Sequence, residues 1–244
     1  MESTAVSVII PTWNERDNIP VLLQGIRAAL TAYRFDVFVV DDGSPDGTGE
    51  AVQTEAATHP NIRLVSRPRK MGLSSAVMTG ALASTGAIVV MMDADLSHNP
   101  ALIPELVKNV EAGYDIAVGS RYVPGASLQG FPLHRRLGSR ALTYLARTLL
   151  GITVRDPLSG FAAMRREVFT AQPTRFSAGG FKLLMEVLAT QRGRKTVEVP
   201  ITFLDRRTGR SKMGATETRG FFRLCWDLRR WQAKNARTLE KGAR

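Results

Sequence analysis

The chain is short of several things. Its 244 residues include one cysteine, Cys225, and three histidines. A single thiol excludes an internal disulfide framework and fits a reducing compartment. The histidines, His59, His98 and His134, stand in loop-like or helix-start contexts with no serine or cysteine arranged beside them as a nucleophile. Long hydrophobic runs are missing as well. No window offers about 20 uninterrupted apolar residues, the length a membrane-crossing helix needs. The nearest, 76–92, is broken by Thr79, Gly80, Ser84, Thr85 and Gly86. The opening MESTAVSVIIPTW lacks a basic region, an apolar stretch and a small-residue cleavage site, so no signal peptide is expected. Phosphate-binding glycine fingerprints are absent: GLSSAVMTG (72–80) matches neither a P-loop nor a dinucleotide turn, which removes ATPase and dehydrogenase readings. The expectation is a soluble chain.

What is present is ordinary in bulk and uneven in charge. Hydrophobic residues make up 44% and charged residues 23%, values typical of a globular domain large enough to bury a core. The net charge is +11, and residues 205–244 hold 12 Lys/Arg against 4 Asp/Glu, whereas the preceding residues hold 21 against 18. A basic end on a nearly balanced body points to an anionic partner there: a phosphate-bearing substrate, a lipid surface or nucleic acid.

Periodicity gives the organisation. VSVII (6–10), FDVFVV (35–40), NIRLV (61–65), AIVVMM (87–92) and DIAVG (115–119) are short, rich in β-branched residues and unbroken, as strands covered on both faces tend to be. Helices are expected over 17–31, 47–58, 72–84 and 100–112. Usable caps are expected from Ser44 and Asp46 near the second helix, Ser74 or Ser75 early in the third, and Asn99-Pro100 at the fourth. Strands alternating with helices imply an open α/β sheet with parallel crossovers. Beyond it, 133–150 and 180–192 read as helices and 195–203 as a strand. A last helix over about 217–239 sets Phe221, Leu224, Cys225, Leu228 and Trp231 near one face.

The unusual polar residues collect where such a sheet binds ligands, beyond the carboxyl ends of its strands. Those ends read PTWNE, DDGSPDGT, DADLSH and GSRY. Asp93 and Asp95 face one way if the strand stays extended, because side chains alternate with a period of two. Paired hard oxygen ligands suit Mg²⁺ or Mn²⁺ bridged to substrate phosphates. Candidate cations for an anionic substrate are Lys70, Arg121, Arg135, Arg136 and the run Arg206, Arg207, Arg210 and Lys212. No covalent nucleophile is evident, so the substrate must bring its own. Cys225 reads as packing.

PTWNERDN, VVDDGSPDGT, DADLSHNP, GSRY, DPLSGF, GFKLLMEVL, EVPITF and DRRTGRSK occur in an order that resembles the family 2 glycosyltransferases, and more narrowly the dolichol-phosphate (polyprenol-phosphate) mannose synthases. The likeness covers about residues 5–214. It implies a GT-A fold, an open mixed sheet flanked by helices, with a catalytic domain at 1–214 and a basic amphipathic C-terminal helix at 215–244. It also implies a GDP-mannose donor, a divalent metal (Mg²⁺ or Mn²⁺), a polyprenyl or dolichyl phosphate acceptor and a membrane surface as partner, at the cytoplasmic face of a membrane. A separate membrane subunit is left open.

Carried over by position, Pro11, Trp13, Glu15, Val40 and Asp42 would hold the nucleoside, with Lys70 and Ala94 nearby. Asp93, Asp95 and Ser97 would surround the metal and donor diphosphate. Arg121, Arg135 and Ser139 would take the acceptor phosphate, and Arg206 and Lys212 would close over the donor. Asp95, Arg121 and Arg206 are the expected catalytic residues. Trp13 stands where tyrosine is usual, and Ser97 where glutamine also occurs. Family relatives often add transmembrane helices after the catalytic domain. The final helix here is expected either to lie in the lipid interface, inserting Phe221, Phe222, Trp226 and Trp231, or to pack on the catalytic domain. Three other readings stay open: a UDP-glucose-dependent polyprenyl-phosphate glucosyltransferase; a basic nucleic-acid-binding module, against which the acidic site argues; and a non-catalytic membrane adaptor, which predicts no transfer at all.

Overall fold

The computed structural model describes residues 5–130, 132–171, 182–204 and 215–236. The chain opens with β1 (Ala5–Thr12), α1 (Ile19–Ala29), β2 (Arg34–Asp41), α2 (Thr48–Thr58), β3 (Ile62–Ser66), α3 (Leu73–Ala83) and β4 (Ile88–Met91). A 3₁₀ turn, Pro100–Leu102, leads into α4 (Ile103–Glu111), followed by β5 (Ile116–Ser120), β6 (Ser127–Gln129) and α5 (Leu133–Leu150). Then come β7 (Ala162–Arg165), α6 (Arg166–Thr170), α7 (Leu183–Thr190), β8 (Thr196–Pro200), β9 (Thr202–Leu204) and α8 (Ala215–Lys234).

Seven strands form one sheet in the order β3-β2-β1-β4-β7-β5-β8. All neighbours are parallel except β7, which runs antiparallel to both β4 and β5, with Ala163 opposite Val90 and Ala117. The period-two rule divides the strand side chains between two cores. Val6, Val8 and Ile10 join Val37, Val39, Val90 and the apolar stripes of α1 (Ile19, Leu22, Leu23, Ile26) and α4 (Ile103, Leu106, Val107, Val110). Ile9, Phe38, Val40, Val89 and Met91 face the other way, among side chains of α3, α5, α6, α7 and α8. The sheet is therefore covered on both faces, as its unbroken apolar strands require.

Gly80 shows how tightly α3 sits on that sheet: a Cβ there would lie 2.5 Å from Ile9 Cγ2 and 3.0 Å from Val40 Cγ2. Caps follow the expectation in part. Asn99 caps the 3₁₀ turn and accepts from the Ala101 amide; Asp46 accepts from the Thr48 amide, but the N-cap of α2 is Gly47 (φ 88°), with no side-chain cap bond. Neither Ser74 nor Ser75 caps α3, whose N-cap is Gly72 (φ 101°); the Ser75 hydroxyl instead donates to the Met71 and Gly72 carbonyls.

Three elements carry no clear signal of their own: β6, β7 and α6 are three, four and five residues long. The stretch 195–203 also divides. Ile201 is buried between β8 and β9, and β9 leaves the main sheet to pair in parallel with β6.

α8 packs its apolar face against the core that α5 and α7 share. Phe221 and Cys225 are each 1% exposed and Leu228 7%, whereas Phe222 is 49% and Trp226 65% exposed. Phe221 is thus core and not an inserting residue, a correction forced by its place on the inward stripe. Burial pushes the Cys225 thiol up to about 11. The neutral form therefore dominates at any pH well below that value, and Cys225 should resist a thiol-specific disulfide reagent at pH 8 until the chain is unfolded in denaturant. Phe221→Ala should cost about 3–5 kcal/mol in urea unfolding, and Trp226→Ala no more than about 0.5 kcal/mol. Equal losses would refute the assignment of the inward face.

Candidate active site

Parallel strands β1, β2, β4 and β5 all end at one edge, so the residues that follow them meet there. After β1 come Trp13 and Glu15. The Lys70 ammonium lies over the Trp13 ring, 5.1 Å from its centroid, close enough for cation–π attraction. The Glu15 amide donates to Thr48 Oγ1 (3.0 Å) and its carboxylate accepts from Asn18 Nδ2 (2.6 Å). Pro11 lies in β1, in register with Val40 of β2.

Val40 itself is fully buried in the core, so its side chain can only position that edge. Its carbonyl accepts from Thr12 Oγ1. Asp42 is 4% exposed and ion-paired with Arg67, while its Oδ2 accepts from the Met71 and Gly72 amides at 3.0 and 3.1 Å. Asp42 therefore anchors the loop that carries Lys70 toward Trp13.

The two aspartates after β4 do not sit on an extended strand. β4 stops at Met91, the chain bends, and Leu96 takes a left-handed φ of 59°, uncommon for a branched residue. The bend closes on Asp95, whose Oδ1 accepts from both the Ser97 amide (3.1 Å) and the Ser97 hydroxyl (2.5 Å). Ser97 thus braces Asp95. Ala94, Asp95 and Ser97 are all buried, whereas the Asp93 side chain remains 28% exposed.

Asp93 lies against Gly160: a Cβ at that position would collide with the Asp93 carboxylate. A glycine is the residue that leaves room for the carboxylate. Among the described residues no group of three His, Cys, Asp or Glu gathers to hold a metal. Two carboxylates at the end of one strand nevertheless fit a hard divalent ion of the Mg²⁺ or Mn²⁺ kind, which takes one or two carboxylates and fills its remaining positions with phosphate oxygens and water.

Across the edge, after β5, stands Arg121. Its Nε and Nη2 donate to the two oxygens of Asp156 at 2.7 and 2.8 Å, and its amide donates to Asp156 Oδ2 at 2.9 Å. Asp156 is completely buried. Burial pulls the guanidinium pKa down, but the hydrogen bonds and charge of Asp156, then the Tyr122 and Asp93 charges, outweigh it and leave Arg121 raised above its ordinary value. The guanidinium also rests on the Tyr122 and Phe203 rings, 5.3 Å from each centroid. Tyr122 Oη and Ser139 Oγ share a hydrogen bond of 2.8 Å, which brings α5 to the same place. Arg135 and Arg136 lie in the first turn of α5, and Arg136 donates to the Leu128 carbonyl at 2.6 Å.

Structure thus brings Trp13 beside Lys70, Ser97 beside Asp95, and Arg121 within one side chain of Ser139. Arg206 and Lys212, with Arg207 and Arg210, lie outside the described residues. Sequence reasoning did not single out Arg67, Tyr122, Asp156 or Gly160. The last two stand inside DPLSGF and Tyr122 inside GSRY, so the signal was present without an assigned role.

A profile of the family "Glycosyl transferase family 2" matches residues 7–171. The chain belongs to that family. It is a glycosyltransferase. Over 237 residues it is 39% identical to a dolichol-phosphate mannosyltransferase of Pyrococcus furiosus, covering 96% of this chain and 66% of that protein. It therefore spans just under two thirds of that relative's length. It is 37% identical to a polyprenol monophosphomannose synthase of Mycolicibacterium smegmatis, over 91% of this chain and 86% of that one.

Among solved structures it resembles a mannosyltransferase of Pyrobaculum calidifontis in complex with GDP-mannose and Mn²⁺ (TM-score 0.64, 21% identity, 96% of this chain and 65% of that one). It also resembles glucosyl-3-phosphoglycerate synthase of Mycobacterium tuberculosis in complex with Mn²⁺, UDP-glucose and phosphoglyceric acid (TM-score 0.63, 23% identity, 85% and 73%). These likenesses bear on the fold, which is the GT-A arrangement of this glycosyltransferase family.

Removing Asp156 would strand the Arg121 charge in a nearly dry place. Asp156→Ala should lower unfolding free energy by about 3–5 kcal/mol. An unchanged denaturation midpoint would show that the pair is not buried as described.

Proposed function

We propose that the chain is an inverting glycosyltransferase that moves mannose from GDP-mannose to a polyprenyl or dolichyl phosphate, forming a β-linked phosphomannose. The observation that carries the reading is the juxtaposition at one sheet edge of acids after β4 and a ring-backed arginine after β5. It supports a reading in which a diphosphate leaving group would lie on one side and a phosphate nucleophile on the other. Support for mannose and for the lipid acceptor comes from the names of relatives 37–39% identical to this chain.

On this reading Trp13 and Lys70 face the base and ribose, with Pro11, Glu15 and Asp42 shaping the pocket wall. Asp93 and Asp95 would hold a divalent ion with the donor diphosphate; when bound, such an ion neutralises charge on the departing diphosphate. Arg121, Arg135 and Ser139 orient the acceptor phosphate, and Arg206 and Lys212 close over the donor. The acceptor is a phosphate monoester with a second pKa of about 6, so near neutral pH it arrives ionised. One of its oxygens attacks the anomeric carbon from the face opposite the diphosphate, the glycosidic C–O bond breaks, and the centre inverts. No general base is required. Rate comes from alignment and from charges placed in advance.

The lipid tail calls for a membrane surface. No helix among the described residues is long and apolar enough to cross a bilayer. α5 and α8 expose Leu133, Leu137, Tyr144, Phe222 and Trp226 beside the exposed Arg219, Arg223 and Arg230, a composition suited to the interface at the cytoplasmic face.

A transfer assay with GDP-mannose and UDP-glucose, against short and long polyprenyl phosphates, tests the reading. Mannose should transfer from GDP-mannose, chelator should abolish it, and product NMR should show the β anomer. Glucose transfer alone would overturn the donor assignment. Asp95→Ala should reduce turnover at least about a hundredfold while the circular dichroism spectrum stays that of the folded chain; normal turnover would refute the role of the acids. In liposome flotation, the Phe222→Ala, Trp226→Ala double variant should lose binding to anionic vesicles, and high salt should weaken the unaltered protein. Binding that neither change affects would remove α8 from the interface.

A further inference from the structure

Beside the site, on the flank of α5, a cavity of about 280 Å³ is lined by Tyr122, Arg140, Thr143, Tyr144, Arg147 and Arg155. Three arginines line one space. Among the described residues none of the three has a carboxylate partner. Arg121, by contrast, gives its Nε and Nη2 to Asp156. Arg147 makes one long bond, Nη2 to the Thr153 carbonyl at 3.4 Å, and its Nε has no partner. Like charges gathered this way repel, and an anion between them relieves the repulsion.

Thr143 supplies a second, independent observation. It is 5% exposed, and its hydroxyl has no hydrogen-bond partner. A threonine inside a helix ordinarily donates to the carbonyl four residues back, as Thr148 does to Tyr144 at 2.9 Å. A buried hydroxyl without a partner is costly, so Thr143 needs something in the cavity to bond. A hydroxyl donor set among three guanidinium forks matches the oxygens of a phosphate group. Tyr122 and Tyr144 supply walls against which the remainder of an ester can lie.

We infer that this cavity is a second anion site, which takes the phosphate of a phosphate ester. It is distinct from the set Arg121, Arg135 and Ser139, and it does not rest on the transfer reaction proposed above. Tyr122 connects the two: its hydroxyl bonds Ser139, and its ring is near both the Arg121 and Arg140 guanidiniums, 5.3 and 6.0 Å from its centroid. The phosphate has two sources, a phospholipid headgroup or a free phosphate. Tyr144, 70% exposed at the rim, places the headgroup first.

Calorimetric titration of the full chain with inorganic phosphate, and separately with monomeric short-chain phosphatidylglycerol, tests the inference. The protein should bind phosphatidylglycerol saturably. Arg140→Gln, Arg155→Gln, a pair of exposed positions chosen to leave folding intact, should weaken it at least about tenfold. Thr143→Val, which keeps the shape and removes the hydroxyl, should weaken it several-fold while melting remains native. Equal binding of inorganic phosphate would support the site and name free phosphate as sufficient; binding of the lipid alone would support it as a headgroup site. No saturable binding of either probe, or unchanged affinity in the double arginine variant, would overturn it.

Discussion

The pair between Arg121 and Asp156 ties the molecule's parts together. Burying two charges is expensive, and the cost is offset here by three hydrogen bonds onto one carboxylate and by two aromatic rings under the guanidinium. Asp156 is itself held, because its amide and that of Arg155 donate to Glu198 of β8. Three residues later the Ser159 hydroxyl donates to the Gly119 carbonyl of β5 at 2.7 Å. The loop is thus fastened to two strands before it reaches Gly160, against which Asp93 lies. On the far side, the same guanidinium rests on Phe203 of β9, which adds a side-chain contact to the backbone bonds, such as Leu204 amide to Ser97 carbonyl at 3.1 Å, that join the small sheet to the body.

The first half of the fold was legible because its physics is local. Continuous runs such as FDVFVV and amphipathic stretches such as IPVLLQGIRAA state their period within a dozen residues, and each became the expected element. β7 was not legible. AAMR opens on two alanines, which are depleted in strands, and it forms one because it pairs with both β4 and β5. β6 and β9 likewise exist only through each other. The break at Ile201 is a matter of burial beyond the strand's end, which no local pattern records.

Site residues divide in the same way. Acids and arginines at strand ends could be named from their setting, since polar groups after an apolar strand need partners. Their partners could not. Asp156 lies 35 positions from Arg121 and Asp42 lies 25 from Arg67, and such pairings follow from topology. The bend through Leu96 is a further case: alternation promised two carboxylates side by side on a straight strand, whereas the chain turns to let Ser97 hold Asp95 from behind. α8 was ambiguous for a good reason. A helix that is apolar on one stripe and aromatic among arginines on the other satisfies the pattern for packing and for lipid at once.

The reversed direction of β7 has a further effect on how the enzyme is put together. In a wholly parallel sheet every segment at the ligand-binding rim has just left a strand, and is free to grow outward. Residues 156–161 instead arrive at that rim on their way inward, stitched to neighbours at both extremities. A loop fixed like that has no slack, so lengthening it by even one residue would push its glycine off the carboxylate it shelters. Variation in this scaffold is thereby steered away from the centre of the rim and toward the segments on either side.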